Sequence, residues 1–278
     1  METVKINLKT FDILSRYVES HFGIQLPLHK KSMVESRLYK RLNALNLDNY
    51  EDYLHYLFSP SGKEELFQFV NIISTHKTDF FREADHFDFL KKIILKKWTF
   101  NQIHGNLFRV WSAGASTGEE VYSLAMTVEE FIKKEKQTNM NYHIIGTDVS
   151  TEVLAMAKKA IYSFDSVKDI PVDYQQKYIL KSKDKKLELI RIIPELRAKV
   201  ELKYLNFMWD EYPIQSMMDV IFFRNVMIYF NRETQEKILE KIIKHLKKDG
   251  FLIIGHSESI LNFKLPLKNI QATIFQKE

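Results

Sequence analysis

The residues of this chain that could do chemistry gather at the ends of short apolar runs. Phe108 to Ser123 reads FRVWSAGASTGEEVYS. β-Favouring Phe108, Val110 and Trp111 precede the small residues Ser112, Ala113 and Gly114. A polar turn at Ser116, Thr117 and Gly118 follows, and Glu119 and Glu120 open a helical pattern. A strand, a small-residue turn and a helix N-terminus together bring backbone N–H groups up to a ligand. No GK[ST] is present, and acids stand where a phosphate site wants donors or a lysine, so this is not a phosphate loop. The ligand these acids predict carries a cation, and S-adenosylmethionine, with its ammonium and sulfonium groups, fits. On the turn alone, an ordinary βα connection with acids favoured by the helix dipole is an equally open reading.

A second run, Tyr142 to Asp148 (YHIIGTD), ends in an acid. An acid at the tip of the second strand of a βαβ unit accepts ribose hydroxyls. The other reading is a cap for the helix that Ser150-Thr151-Glu152-Val153 begins. Its register with the first turn favours an adenosyl ligand. Further on, Asp219 to Phe230 (DVIFFRNVMIYF) runs a buried strand into Arg224-Asn225 and then Tyr229. By position the Arg-Asn pair faces a ligand, whereas an aromatic in an apolar run is more often core. In Thr75 to Glu83 (THKTDFFRE), Phe80 or Phe81 belongs to the core, and Arg82 can point into the cleft from the junction. In the second helix Lys30, Arg37 and Arg41 share a face, being spaced by seven and four. Such a run is usually a solvated face; its functional reading is a docking surface for an acidic partner.

The elements that must position these residues fall into two parts. Up to about residue 97 the apolar spacing is three and four, predicting helices through Leu8–Phe22, from Pro27 to Leu45, Tyr50–Leu57 and Glu64–Ile73. Asn101 to Asn106 (NQIHGN) reads as a linker. Beyond it, strands over 108–113, 142–147, 200–205, 218–223 and 251–255 alternate with helices near 119–136, 151–160 and 232–246. A hairpin over Phe263–Gln276 ends the chain. Tyr174 to Arg191 interrupts the alternation as a small antiparallel insertion. The domains predicted are 1–97, all-helical, and 98–278, α/β, with a β-subdomain near 172–195. Of 278 residues 45% are apolar and 28% charged, enough for a globular core. There is no cysteine, which excludes disulfides and thiolate zinc sites. A net charge of +5 spread along the chain argues against a dedicated nucleic-acid protein. No run is long enough to span a membrane, and the start lacks a signal-peptide layout.

WSAGASTGEEVYS, GTDVSTEVLAMAKKAIY, FFRNVMIYFNRETQ and GFLIIGHSES resemble, in order, the motifs of the chemotaxis receptor methyltransferases, the CheR family. TDFFRE and MVESRLYKRL resemble its N-terminal domain. The resemblance implies an all-α N-terminal domain followed by a Rossmann-like class I methyltransferase domain with a small antiparallel β-subdomain. It implies S-adenosylmethionine as cofactor, S-adenosylhomocysteine as product and no metal. The substrate implied is glutamate on the helical cytoplasmic bundle of methyl-accepting chemoreceptors, and the enzyme a cytoplasmic monomer. Gly114 and Glu120 would hold the methionine end, Asp148 the ribose, and Asn206 and Phe207 the adenine. Arg224 and Asn225 would line the site, His76, Thr78 and Arg82 would close it, and Arg82 and Tyr229 would sit nearest the reacting groups. Position 76 departs from several relatives, which carry Asn there. The insertion also lacks the glycine-rich loop of members that bind a receptor-tail pentapeptide, so no such tether is expected.

Methyl transfer to a carboxylate needs no general base, because the acid is already ionised at neutral pH. A site with an Arg, an aromatic hydroxyl and cofactor holders suits that chemistry. The rival is a cofactor-binding signalling scaffold without turnover, against which the intact set Arg82, Asp148, Arg224 and Tyr229 speaks. A nucleic-acid methyltransferase is disfavoured because RNVMIY stands where an Asn/Asp-Pro-Pro-aromatic motif would.

Overall fold

The computed structural model describes residues 4–101 and 107–278, so most of the expected linker lies outside the described residues. The chain opens with four helices, α1 (Leu8–Phe22), α2 (Lys31–Leu45), α3 (Tyr50–Leu57) and α4 (Lys63–Ile73). α1 starts where the Asn7 side chain accepts the Thr10 N–H at 2.8 Å. It stops at Gly23, whose φ of 73° returns its N–H to the Glu19 carbonyl. Pro27 opens a 3-10 turn, Leu28–Lys30, rather than α2 itself.

Two of the three basic side chains expected to face a partner are tied into this domain instead. Arg37 Nη1 donates to the carbonyls of Ile72, Ile73 and Ser74 at 2.9, 3.3 and 3.0 Å, closing the end of α4. Arg41 grips Glu65 through Nε–Oε1 at 3.0 Å and Nη2–Oε2 at 2.6 Å, and the Tyr53 hydroxyl donates to the same carboxylate at 2.9 Å. The reason is burial. Glu65 is only 3% exposed on the inner face of α4, and an unpaired carboxylate there is costly.

After α4, residues 74–83 form an irregular segment. α5 (Ala84–Phe89) and α6 (Leu95–Asn101) then run together through a π turn at Leu90–Ile94. The α/β part begins with β1 (Leu107–Ala113), α7 (Glu119–Lys134), β2 (Asn141–Asp148) and α8 (Thr151–Lys159). β3 (Ile161–Ser163), α9 (Val172–Tyr178), β4 (Ile179–Lys181), β5 (Leu189–Ile192) and α10 (Pro194–Arg197) follow. The chain ends with β6 (Val200–Tyr204), β7 (Met218–Phe223), α11 (Arg232–Lys244), β8 (Leu246–Ile254), β9 (Leu267–Gln271) and β10 (Ile274–Lys277). Among the described residues the main sheet has the order β6-β2-β1-β7-β8-β10-β9. β6 through β8 are parallel, and the β9–β10 hairpin adds an antiparallel edge, as the alternation predicts. The order reverses at β1, which has β2 on one side and β7 on the other, so a crevice opens beyond their carboxyl ends.

β8 starts at Leu246 rather than 251. Lys248-Asp249-Gly250 is carried inside the strand opposite a register shift between Met218 and Val220. The insertion holds a small antiparallel sheet, β3-β5-β4. β4 and β5 are the expected pair, and β3 lies upstream of residue 172. Three residues are too short to show alternation; β3 is held because Tyr162 pairs with Ile190 and both turn inward.

The two faces of the main sheet bury different partners. Trp111, Ile145, Leu205 and Phe223 pack in one core with Leu14, Val34, Leu38 and Phe69 of the helical domain. Phe108, Val110, Ile144 and Phe222 pack in the other with Leu90, Val121 and Ala125. Period-two strands thus direct alternate residues to two cores. No helix among the described residues is long and apolar enough to cross a membrane.

Arg41→Ala should lower stability by about 3 kcal/mol, because it strands the buried Glu65 charge; urea unfolding followed by circular dichroism measures this. His86 provides a pH test. It is fully buried, with Nε2 2.8 Å from Thr273 Oγ1 in the hairpin turn and Nδ1 3.4 Å from Glu83 Oε2. Burial, reinforced by the nearby Arg224 charge, brings its pKa down from 6.5 to about 4. The unfolded chain therefore takes up this proton first, so the stability contributed is full above pH 6.5 and is lost as pH falls toward 4. Burial pushes the carboxyls of Glu120, Asp148 and Glu258 upward, which acts in the opposite sense. The difference between wild type and His86→Gln isolates the histidine, and the variant should show a flatter stability curve across that window in urea melts.

Candidate active site

A cavity of about 320 Å³ opens at the carboxyl ends of β1, β2, β6 and β7 and is closed from the far side by the helical domain. His76, Thr78, Arg82, Gly114, Glu120, Asp148, Asn206, Phe207, Arg224, Asn225 and Tyr229 all line it. Lys30 lines it too, with Nζ 5.9 Å from the centre of the Tyr229 ring. Arg37 and Arg41 do not; they are engaged on α4 and Glu65.

The first turn owes its shape to glycine. Gly114 has φ 100°, and a Cβ there would come within 2.4 Å of Val226 Cγ2. The N–H groups of Gly114 and Ala115 both donate to the Thr147 carbonyl, at 2.9 and 2.8 Å, which locks the turn to the end of β2. Asp148 completes the lock. Its Oδ2 accepts the Ser116 N–H and its Oδ1 the Ser150 N–H, both at 2.9 Å. Burial raises its pKa while these amides oppose the shift. A carboxylate has about four lone-pair positions, so two amides leave acceptor capacity for ligand hydroxyls.

Just past the end of β7, the Arg224 side chain is 2% exposed. Its Nη2 is 3.2 Å from Glu83 Oε2 and also donates to the Arg82 carbonyl. Its Nη1 lies 3.5 Å from Glu120 Oε2. The Ser112 hydroxyl donates to Glu120 Oε1 at 2.7 Å. Burial raises the Glu120 pKa, and Arg224 opposes it. Arg224 Nε and Nη1 are buried without a hydrogen-bond acceptor among the described residues. Glu83, His86 and His256 also converge here, with ligand-type atoms within 4.8 Å of one another. The Glu83 carboxylate among them is already matched by Arg224.

The other candidates divide by what already occupies their side chains. The Asn206 Nδ2 donates to the His21 carbonyl at 2.7 Å, and its Oδ1 accepts the Met208 N–H at 2.9 Å, so this amide ties α1 to the end of β6. Phe207 presents an aromatic wall packed edge-on against Tyr212, Phe223 and Phe230. His76 Nε2 lies 3.2 Å from the Asn71 carbonyl, and the His76 carbonyl accepts the Ser116 hydroxyl at 2.9 Å. Arg82 Nη1 donates to the Lys77 carbonyl at 3.2 Å. Burial holds the Tyr229 hydroxyl above its usual pKa, so it stays protonated at neutral pH.

Backbone strain collects around this cavity. Phe81, Glu83, Ser116 and Asn225 have φ of 52°, 57°, 49° and 57°. Such left-handed non-glycine residues persist only where surrounding contacts over-determine them. Sequence reasoning missed Glu83 and Ser116, although both lie within motifs already noted. The signal for Glu83 is its place beside Arg82; Ser116 acts through its backbone, which no residue type announces.

Comparison with known proteins identifies the family. The family model described as "CheR methyltransferase, all-alpha domain" matches residues 9–74, and "CheR methyltransferase, SAM binding domain" matches residues 76–276. A chemotaxis protein methyltransferase of Borreliella burgdorferi is 38% identical over 262 residues, covering 92% of this chain and 91% of that one. Its counterpart in Salmonella typhimurium is 37% identical, covering 91% and 84%. That of Escherichia coli is 36% identical, covering 90% and 84%. An α-helical domain closing a strand-end cavity, with both family models matched in order across the chain, places this protein in the CheR methyltransferase family.

Proposed function

We propose that this chain transfers a methyl group from S-adenosylmethionine to glutamate side chains on the helical cytoplasmic bundle of chemoreceptors, leaving glutamyl methyl esters. The observation that carries the reading is the meeting of Arg82 and Tyr229 with the acids Glu120 and Asp148 in one cavity. The acids suit a cationic nucleoside, and Arg82 suits an anionic side chain.

The residues present fit the cofactor. Asp148 retains acceptor capacity for ribose hydroxyls. Glu120 suits an ammonium, and the Arg224 charge on the cavity wall suits an α-carboxylate. Gly114 lets the chain pass close, and Phe207 with Asn206 bounds the adenine end. Asn225 completes the wall beside Arg224, and His76 and Thr78 close the site from the helical side. The bound cofactor supplies an activated methyl group on a sulfonium.

This chain's own residues then have three tasks. Arg82, with one of its five N–H donors on Lys77, orients the substrate carboxylate with the rest. Tyr229, kept protonated, donates a hydrogen bond that places the reacting oxygen. The apolar rim of Ile24, Leu26 and Met33 excludes water from a carboxylate that must shed it. Alignment and desolvation therefore carry the rate, and no residue needs to remove a proton. Lys30, at the cavity wall, contributes receptor docking, with Arg37 and Arg41 shaping the helix face beside it.

Tritiated-methyl transfer to host membranes, followed by alkaline release of volatile methanol, tests the reaction; base-stable label would sink it. Asp148→Ala should weaken S-adenosylhomocysteine binding in calorimetry by roughly 1.5–3 kcal/mol. Tyr229→Phe should leave that affinity within about twofold of wild type while slowing transfer. The subdomain yields a separate expectation. Strand β4, at one edge, is three residues long, and the turn to β5 contains no glycine for close backbone approach. A receptor C-terminal pentapeptide titrated by NMR should therefore give no saturable shifts across residues 178–191.

A further inference from the structure

Glu258 does not line the cavity, yet it holds the turn that forms one of its walls. Its carboxylate is 8% exposed and collects three backbone amides from two segments. The N–H of Asn225 donates to Oε2 at 2.9 Å, that of Met227 to Oε1 at 2.9 Å, and that of Gly255 to Oε2 at 2.7 Å. The Glu258 N–H in turn donates to the Gly255 carbonyl at 2.9 Å, folding the loop back under its own side chain. Buried amides without acceptors are costly, so this side chain satisfies an account that the strands leave open.

The turn it satisfies is the strained one. Asn225 stands at φ 57°, and its approach to Gly255 is so close that a Cβ there would lie 2.4 Å from Asn225 Nδ2. Val226 follows directly, and its Cγ2 lies against Gly114. A contiguous path thus runs from the Glu258 carboxylate through the Asn225–Met227 turn and Val226 to the glycine at the end of β1. Asp148 is held by the N–H groups of Ser116, two residues beyond Gly114 in the β1–α7 turn, and of Ser150, at the start of α8, and it shares no hydrogen bond with Asn225, Met227 or Glu258.

The structure assigns to Glu258 the role of a positioning residue for the methionine end of the cofactor, an inference that rests on the S-adenosylmethionine reading above. The carboxylate touches no reacting group. It fixes the backbone that sets Val226 against Gly114 and Arg224 beside Glu120, and it leaves the nucleoside end to Asp148. Glu258→Gln keeps the size of the side chain but turns one acceptor into a donor facing an N–H.

Calorimetry with two ligands tests this: S-adenosylhomocysteine, which has the amino-acid end, and 5′-methylthioadenosine, which lacks it. Glu258→Gln should weaken S-adenosylhomocysteine by about tenfold and leave 5′-methylthioadenosine within about twofold. Equal losses for both ligands would make Glu258 a general structural residue and overturn the inference, as would unchanged affinity for both. If Glu258→Gln does not fold, Val226→Ala removes the last link to Gly114 and carries the same test, with the same selective loss expected. Wild-type protein that binds neither ligand overturns the cofactor reading itself, and this inference with it.

Discussion

The guanidinium of Arg224 is buried between Glu83 and Glu120, and the arrangement of the cavity follows from keeping that charge paired. Arg224 sits at the end of β7, Glu120 at the start of α7, and Glu83 in the segment that leads out of the helical domain. Removing one partner of a buried ion pair is strongly destabilising because the other charge stays behind uncompensated. The three segments are therefore constrained together, and the Arg82 carbonyl joins them by accepting from Arg224. Arg82 reaches the cavity because its neighbour Glu83 is held in place. The guanidinium also faces the rings of Phe87 and Phe222, at 5.6 and 5.9 Å, which shield it from water and strengthen its interactions.

The helical domain is a wall of the cavity as well as a neighbour of the sheet. Its residues Leu14, Val34 and Phe69 share one hydrophobic core with Trp111 and Phe223 of the strands. The His21 carbonyl takes the Asn206 amide, and the Tyr229 carbonyl takes the Gln25 N–H at 2.8 Å. These contacts bring Phe22, Ile24 and Leu26 over strand ends that would otherwise be open. Arg37 and Arg41 serve the same end. By fastening α2 to α4 they fix the position of Ile73 and Ser74, where the chain turns toward His76 and the cavity.

Strain and desolvation coincide in this region. Left-handed backbone at Phe81, Glu83, Ser116 and Asn225 costs stability. It is supported by side chains that receive amides, Asp148 for Ser116 and Glu258 for Asn225. Burial raises the pKa of Asp148, Glu120 and Glu258 alike, and each is opposed by amides or by Arg224. Such a pre-ordered polar shell suits chemistry limited by alignment rather than by proton transfer.

The helical start followed by alternating strands and helices, the parallel sheet with its edge hairpin, and the cavity-lining residues Gly114, Glu120, Asp148 and Arg224 were legible in the sequence. Each is a local matter: apolar periodicity, glycine where φ is positive, and acids or bases at strand ends. The family motifs were legible for the same reason, being contiguous. Tertiary structure alone decided which charges remain available. Lys30, Arg37 and Arg41 share a helix face by spacing, yet Arg41 is drawn to Glu65 and Arg37 to the end of α4, because helix packing brings distant buried acceptors to them. It alone decided that Asn206 spends its amide on His21, and that β3 joins the small sheet through Ile190. It also decided that Glu258, an unremarked acid in GHSES, gathers the amides of a turn about thirty residues upstream. Spacing along a chain reports which residues share a face. Which partner satisfies a buried polar atom depends on what other segments bring to it, and only the folded chain settles that.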